Sequence, residues 1–408
     1  MSFADRLREW LGIRDRKLDI EQLQPVAVPA MPQVRVHENE QSFPSFHGYA
    51  NDDEFALFGD GQKQEAIRLA RAFNPAQPVS SLRNFAGRKA LVSSLIRSIE
   101  NRRLHLVLYG NRGMGKTSLL QIIAILARQA QYLVRYSSCS ASSDFDSTFR
   151  TICNDIPLLY YGEFDPTSSD VEGGKKLSDL LGTDPLTPTK VSEIFAQVTG
   201  TRVLLILDEF DRAASAEFRL GVAELIKNLS DRATRVQLLI GGVAHNLDEL
   251  IEHVPSIRRN VLGVPIGEMS ADELNEIVAN GETASGLRYV TQAREQIVDL
   301  ALGSPYLTAL IAQAAGEIAL ERRAEAVVGD DVRKAVGRLA GEFRDRLSSQ
   351  SAMQLERLRH EISNAQPSDV RAVLAHAGET QEWNWRGNRL ELSDDSLSTI
   401  LWFERNAA

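Results

Sequence analysis

The sequence predicts an α/β protein: a parallel sheet covered by helices, followed by a helical lid and a small C-terminal domain. Three observations predict it. From about residue 85, short apolar runs alternate with helical stretches, the signature of a parallel sheet with helices on its faces. One of these runs feeds straight into a Gly-rich segment that opens a helix. From Ser270 to about Phe343 the periodicity is helical throughout, with Gly286, Gly303 and Gly329 as breaks.

The strand candidates are Leu104 to Tyr109, Leu133 to Ser137, Val203 to Leu207, Val236 to Ile240 and Val261 to Ile266. Ahead of them, Phe3, Leu7, Trp10, Leu11 and Leu18 fall near helical spacing among Arg6, Arg8, Arg14, Arg16 and Lys17, a short basic amphipathic helix. Pro25, Pro29 and Pro32 then mark an extended linker. Past the helical stretch, Met353 to Ile362 and Ser368 to Ala377 read as helices, and Trp383 to Leu392 as a hairpin turning at Gly387-Asn388. That order fits a winged-helix-like domain. The expected divisions are 1–45 for the N-terminal helix and linker, 46–267 for the core, 268–345 for the lid and 346–408 for the C-terminal domain.

With 408 residues the chain exceeds what one core usually organises. Its 43% apolar and 25% charged residues are those of a globular protein. No stretch approaches the roughly 20 apolar residues that cross a bilayer, and the N-terminus lacks a secretory pattern, so the expectation is a cytoplasmic protein without integral membrane association. Cys139 and Cys153 are too few for a disulfide framework and read as buried or incidental thiols. A net charge of -9 argues against bulk attraction to nucleic acid, so any DNA contact requires a local basic patch.

The Gly-rich segment is Gly110-Asn111-Arg112-Gly113-Met114-Gly115-Lys116-Thr117, which fits G-x-x-x-x-G-K-[ST] and is followed by Ser118 in a helical pattern. Glycines let successive N–H groups face phosphates, and the helix start adds partial positive charge. Lys116 is expected on the β- and γ-phosphates of ATP, and Thr117 on Mg2+. Downstream, Val203 to Leu207 ends in Asp208-Glu209. Such a strand is expected beside the P-loop strand, with Asp208 reaching the magnesium shell and Glu209 polarising the attacking water. Past Val236 to Ile240, Asn246 is the first choice and His245 the second for a polar group that bonds the γ-phosphate or the water. Either residue also suits a simple turn.

These residues together resemble the AAA+ ATPases, in the prokaryotic branch related to origin-recognition initiators and STAND signalling ATPases. Asn74 to Val79 followed by Phe85-Ala86-Gly87-Arg88 is similar to the family's adenine-covering segment, and Asp208 to Arg212 to its magnesium strand. Gly242-Val243-Ala244, Leu250-Ile251 and His253 to Arg259 resemble its sensor strand and arginine-finger region, and Gly303-Ser304-Pro305-Tyr306 the start of a lid helix. The resemblance covers about residues 73 to 320. It implies an ATPase, slow and regulated, whose site is completed by a neighbouring subunit through Arg259, or else Arg258. It also implies that Gly87, Arg88 and Pro305 lie near the nucleotide. The helix after Pro305 departs from many members in carrying no arginine before Arg322-Arg323, which favours a STAND-like switch over a fast motor. The expected function is therefore an ATP-hydrolysing switch whose nucleotide state controls oligomerisation or a protein partner. The rival readings are a DNA-binding initiator, loader or transposition-type ATPase using the C-terminal domain, and the ATPase subunit of a phage-defence system.

Overall fold

Continuous apolar strands are buried on both faces when helices cover each side of a parallel sheet. The computed structural model has this arrangement; it describes residues 61–408 apart from 166, 245, 248–256, 365–383, 387–388, 392–394 and 408. The predicted N-terminal helix and linker, the 368–377 helix and the turn at Gly387-Asn388 therefore lie outside the described residues.

Helices α1 (Gly61–Ala72) and α2 (Lys89–Glu100) precede strand β1 (His105–Tyr109), and α3 (Lys116–Gln129) opens directly after the Gly-rich segment. Then come β2 (Leu133–Ser138), α4 (Phe145–Asn154), α5 (Pro188–Ala196), β3 (Val203–Asp208), α6 (Ala216–Asp231), β4 (Val236–Gly242) and β5 (Val261–Pro265). The second half holds α7 (Ala271–Ser285), β6 (Arg288–Tyr289), α8 (Thr291–Ala301), α9 (Pro305–Glu321), β7 (Ala326–Val327), α10 (Gly329–Asp345) and α11 (Ser349–Asn364). A hairpin of β8 (Asn384–Arg386) and β9 (Arg389–Glu391) and a last helix, α12 (Asp395–Ala407), complete the chain. Helix starts are set locally: Asp144, Thr187, Ser215, Ser270 and Ser304 each accept a backbone N–H from the first turn of the helix they precede.

All five predicted strands form one parallel sheet in the order β2-β3-β4-β1-β5. The expectation that β3 lies beside the P-loop strand is corrected: β4 stands between them, Leu239 pairing with Leu106 on one side and Ile206 on the other. All seven residues of β4 are buried, as a strand flanked on both edges requires. Because the strands are parallel, β1 and β3 still end at the same edge.

Alternation along the strands sends side chains to two layers. Val107, Leu205, Leu207, Leu238 and Ile240 pack with Phe149, Phe195 and Phe218 from α4, α5 and α6. Leu106, Leu108, Leu204, Ile206 and Leu239 pack with Val92, Leu95, Leu119 and Ile123 from α2 and α3. A third cluster joins the helices after β5, through Leu274, Ile297, Ile311 and Val332, with Leu69 and Phe73 at α1 and Phe403 of α12. The sequence reading places no helix over 395–407, yet Trp402 Nε1 donates to the Leu300 carbonyl at 3.1 Å and Phe403 is fully buried.

Two polar details belong to this core. His105, 2% exposed at the start of β1, accepts the Leu238 N–H on Nδ1 at 3.0 Å and has Nε2 3.2 Å from Ser230 Oγ. Burial pushes its pKa down to about 4, so the ring is neutral. Cys139 and Cys153 are buried, and burial pushes both thiols up to about 12. No helix among the described residues is long and apolar enough to cross a membrane.

Candidate functional site

The edge where β1 and β3 end opens into a cavity of about 980 Å³. Its floor is the Gly-rich segment. Gly110 has φ 144° and lies so close to β5 that a Cβ would stand 2.4 Å from the Ile266 carbonyl oxygen, which leaves room for glycine alone. Gly115 caps α3 at φ 79°, in the left-handed region that side chains disfavour. Arg112, Gly113 and Gly115 to Ser118 line the cavity, whereas Gly110, Asn111 and Met114 are not part of its lining. Lys116 is 9% exposed, and its ammonium donates to the Gly110 and Asn111 carbonyls at 2.7 and 2.8 Å. Burial lowers its pKa, opposed by Asp211 and Asp208. Ser118 accepts the Val79 N–H at 3.1 Å, which fastens the preceding segment to α3.

The acids face this floor. Asp208, 5% exposed at the end of β3, accepts Tyr136 Oη on Oδ2 at 2.5 Å and the Glu209 N–H on Oδ1 at 2.8 Å. Glu209 adopts φ 52°, an uncommon backbone for a residue with a side chain, of the kind that clusters where function demands it. Its carboxylate accepts from Ser138 Oγ at 3.0 Å and from Arg212 at 2.8 Å. Asp211 anchors the turn after β4 by accepting the Val243 N–H at 2.8 Å. Tyr136 and Ser138 are missed by the sequence reading, since nothing marks them until β2 is known to lie beside β3.

The roof comes from two directions. Asn74 to Ser81, Asn84, Phe85 and Ala86 line the cavity. Gly87 does not; its N–H donates to Glu276 on α7 at 2.9 Å. Arg88 lines it, and its guanidinium donates to the Met114 and Gly267 carbonyls at 2.7 and 2.6 Å, clamping the Gly-rich segment to the chain past β5. From the other side the start of α9 meets the floor: Ser304 Oγ and the Tyr306 N–H both lie 3.4 Å from the Gly113 carbonyl, and Pro305 and Tyr306 line the cavity. Five cationic side chains, Arg71, Arg88, Arg112, Lys116 and Arg212, face three carboxylates. The cavity thus favours an anion although the whole chain is acidic.

Other predicted residues stand apart from this assembly. Asn246 is exposed and is not part of the lining, and His245 lies outside the described residues. Arg258 and Arg259 precede β5, at the opposite edge of the sheet; five strand residues at about 3.3 Å each separate that edge from the cavity by roughly 16 Å. Arg259 is 76% exposed and lies 3.7 Å from Asp231. No arginine occurs within α9, and Arg322, just after it, is held by Asp331 through two hydrogen bonds at 2.8 and 2.6 Å.

Comparisons with known proteins complete the picture. No curated protein matches the chain. Among solved structures it is similar to a Walker-type ATPase of Pyrococcus abyssi, at 14% identity over 81% of this chain and 99% of that one, with a TM-score of 0.52. It is also similar to the RuvB Holliday junction branch migration motor of Thermotoga maritima, at 18% identity, 74% and 85% coverage and a TM-score of 0.45. The ORC1 protein of Aeropyrum pernix in complex with DNA follows at 16% identity, 82% and 95% coverage and a TM-score of 0.43. The model of the family described as Novel STAND NTPase 1 matches residues 73–392, from the segment after α1 through the sheet and helices to β9. With that match over most of its length and an intact Gly-x-x-x-x-Gly-Lys-Thr segment, the chain belongs to the Novel STAND NTPase 1 family.

Proposed function

We propose that the chain binds ATP with magnesium in this cavity, hydrolyses it slowly, and uses its nucleotide state to control oligomerisation or the binding of a protein partner. The observation that carries the reading is that one cavity is lined both by Lys116, Thr117, Asp208 and Glu209 beside the sheet and by Pro305 and Tyr306 at the start of α9. A ligand held between them changes how the helical cluster sits on the sheet.

The residues fit a magnesium nucleotide. Among the described residues no group of three or more His, Cys, Asp and Glu side chains could hold a metal alone. One carboxylate, Asp208, and one hydroxyl, Thr117, beside a phosphate cradle are the donors expected for an ion that keeps waters and shares phosphate oxygens. Magnesium, when bound, neutralises phosphate charge as it develops. Lys116 exchanges its bonds to the Gly110 and Asn111 carbonyls for phosphate oxygens. Glu209 leaves Ser138 and Arg212 to orient and deprotonate water. Phe73, Phe85, Met269 and Pro305 supply an apolar wall suited to a base. Arg259 is too distant for its own cavity and is exposed, which supports a role in a neighbouring subunit's site. Asn246 receives no role, being outside the lining. The tied Arg322 and an α9 without arginine support a switch over a motor.

Glu209→Gln tests the reading. It is expected to keep ATP binding while turnover falls by about 10²–10⁴-fold, the usual weight of a general base, and to hold the ATP-dependent mass measured by sedimentation. Full turnover in Glu209→Gln, or a mass indifferent to ATP in every variant, contradicts it.

A further inference from the structure

The strands run in one direction, so their N-terminal ends share the edge opposite the Gly-rich segment. Three neighbouring strands are entered from an arginine. Arg103 stands two residues before β1, Arg202 directly before β3 and Arg235 directly before β4, and β4 lies between the other two. The three arginines line one cavity of about 140 Å³ together with Thr234 and Gln237. At about 30 Å³ of liquid volume per water, that space holds about four waters, or one tetrahedral oxyanion with some water.

The cavity is built for an anion. No carboxylate lines it. Among the described residues neither the Arg103 nor the Arg235 guanidinium has a carboxylate partner. Arg202 is held in place: its NH1 donates to Tyr132 Oη at 3.0 Å and to the Glu100 carbonyl at 3.4 Å, and its guanidinium carbon lies 5.8 Å from the centre of the Tyr132 ring. Thr234 provides the independent sign of a missing ligand. It is 7% exposed, yet its Oγ1 is buried without a hydrogen-bond partner, a cost that a bound acceptor removes. Gln237, 4% exposed, faces the same space. A second, more open cavity of about 500 Å³ shares Arg202 and Arg235 and is lined also by Glu100, Asn101, Tyr132 and Thr201.

We propose that this edge carries a second phosphate site, distinct from the Gly-rich segment, that takes inorganic phosphate or the phosphate of a phosphomonoester. Planar guanidinium forks meet phosphate oxygens pairwise, and the Thr234 hydroxyl donates to a further oxygen. The larger cavity receives the organic part of a phosphomonoester. Thr234 lies three residues past Asp231, the last residue of α6 and the ion-pair partner of Arg259.

The test is calorimetric titration of the full chain carrying Lys116→Ala, which takes the lysine of the Gly-rich segment out of the measurement. The probes are inorganic phosphate and AMP. Saturable binding is expected, weakened about tenfold or more by Arg103→Gln with Arg235→Gln and severalfold by Thr234→Val, with unfolding midpoints unchanged by the arginine substitutions. AMP binding well above phosphate assigns the site to phosphomonoesters, and equal binding assigns it to free phosphate. Failure of both probes to bind at millimolar concentration, or binding indifferent to the arginine and Thr234 substitutions, overturns the proposal. Each arginine is also changed singly, so that loss of fold in the double variant leaves the comparison intact.

Discussion

Removing one oxygen atom, with Tyr136→Phe, is expected to weaken magnesium-dependent nucleotide binding while leaving the fold in place. The phenol donates to Asp208 Oδ2 at 2.5 Å, and burial, reinforced by that carboxylate, raises its pKa, so it remains a donor at neutral pH. Asp208 is 5% exposed, so water cannot fully replace the lost partner. A hydrogen bond to a charged group contributes about 1.5–3 kcal/mol, and urea unfolding without nucleotide is expected to register a loss of that size. The larger consequence is orientation. Changing an outer partner of a metal ligand typically costs about 10–100-fold in metal affinity, so the magnesium concentration for half-maximal ATP binding is expected to rise by that factor. A stability loss with a magnesium midpoint moved less than about twofold would refute the orienting role and leave Tyr136 a structural residue.

The remaining predictions concern pH, backbone and floor. His105 has its folded pKa pushed down to about 4 from an ordinary 6.5, so the unfolded chain binds the proton first and stability falls as pH drops through that window, by up to about 3 kcal/mol. His105→Asn, which keeps an acceptor for the Leu238 N–H, is expected to flatten this part of an acid-unfolding curve, and parallel curves for the two proteins contradict it. Gly115→Ala places a side chain at φ 79° and 3.4 Å from Pro305 Cγ, and is expected to cost about 1–2 kcal/mol in thermal or urea unfolding and to weaken nucleotide binding. Unchanged binding by Gly115→Ala means that the floor adopts another shape when occupied.

Much of the core is legible in the sequence because its signals are local. The five strands are apolar runs that need burial on two faces, and the Gly-rich segment declares itself through residues whose backbone freedom and charge are used where they stand. Strand order is different. It depends on how β4 inserts between β1 and β3, and nothing within Val203–Asp208 encodes that neighbour. Tyr136 and Ser138 follow from the same fact, since they reach Asp208 and Glu209 only because β2 flanks β3. The sequence reading sets Arg88 in the segment likened to an adenine cover, while its grip on the Met114 and Gly267 carbonyls needs contacts over 26 and 179 residues. Helix α12 carries a readable pattern in Leu397, Ile400 and Phe403, but its burial against α8 and α10 is a long-range outcome. Asn246 shows the converse: a polar residue after a strand is a plausible sensor in sequence, and the path of the loop takes it out of the cavity lining.

The central claim is a hydrolytic site in this cavity finished by a second copy of the chain. Its most direct measurement is the ATPase rate of Lys116→Ala and Arg259→Ala, each alone and mixed in equal amounts across a range of protein concentrations. Each variant alone is expected to be nearly inactive, the arginine change costing about 10³-fold or more, while the mixture regains activity that rises with concentration, because the Lys116→Ala subunit lends its arginine to the intact cradle of the other. A mixture no more active than the sum of its parts, or an Arg259→Ala chain that turns over at the full rate at every concentration, would contradict the account.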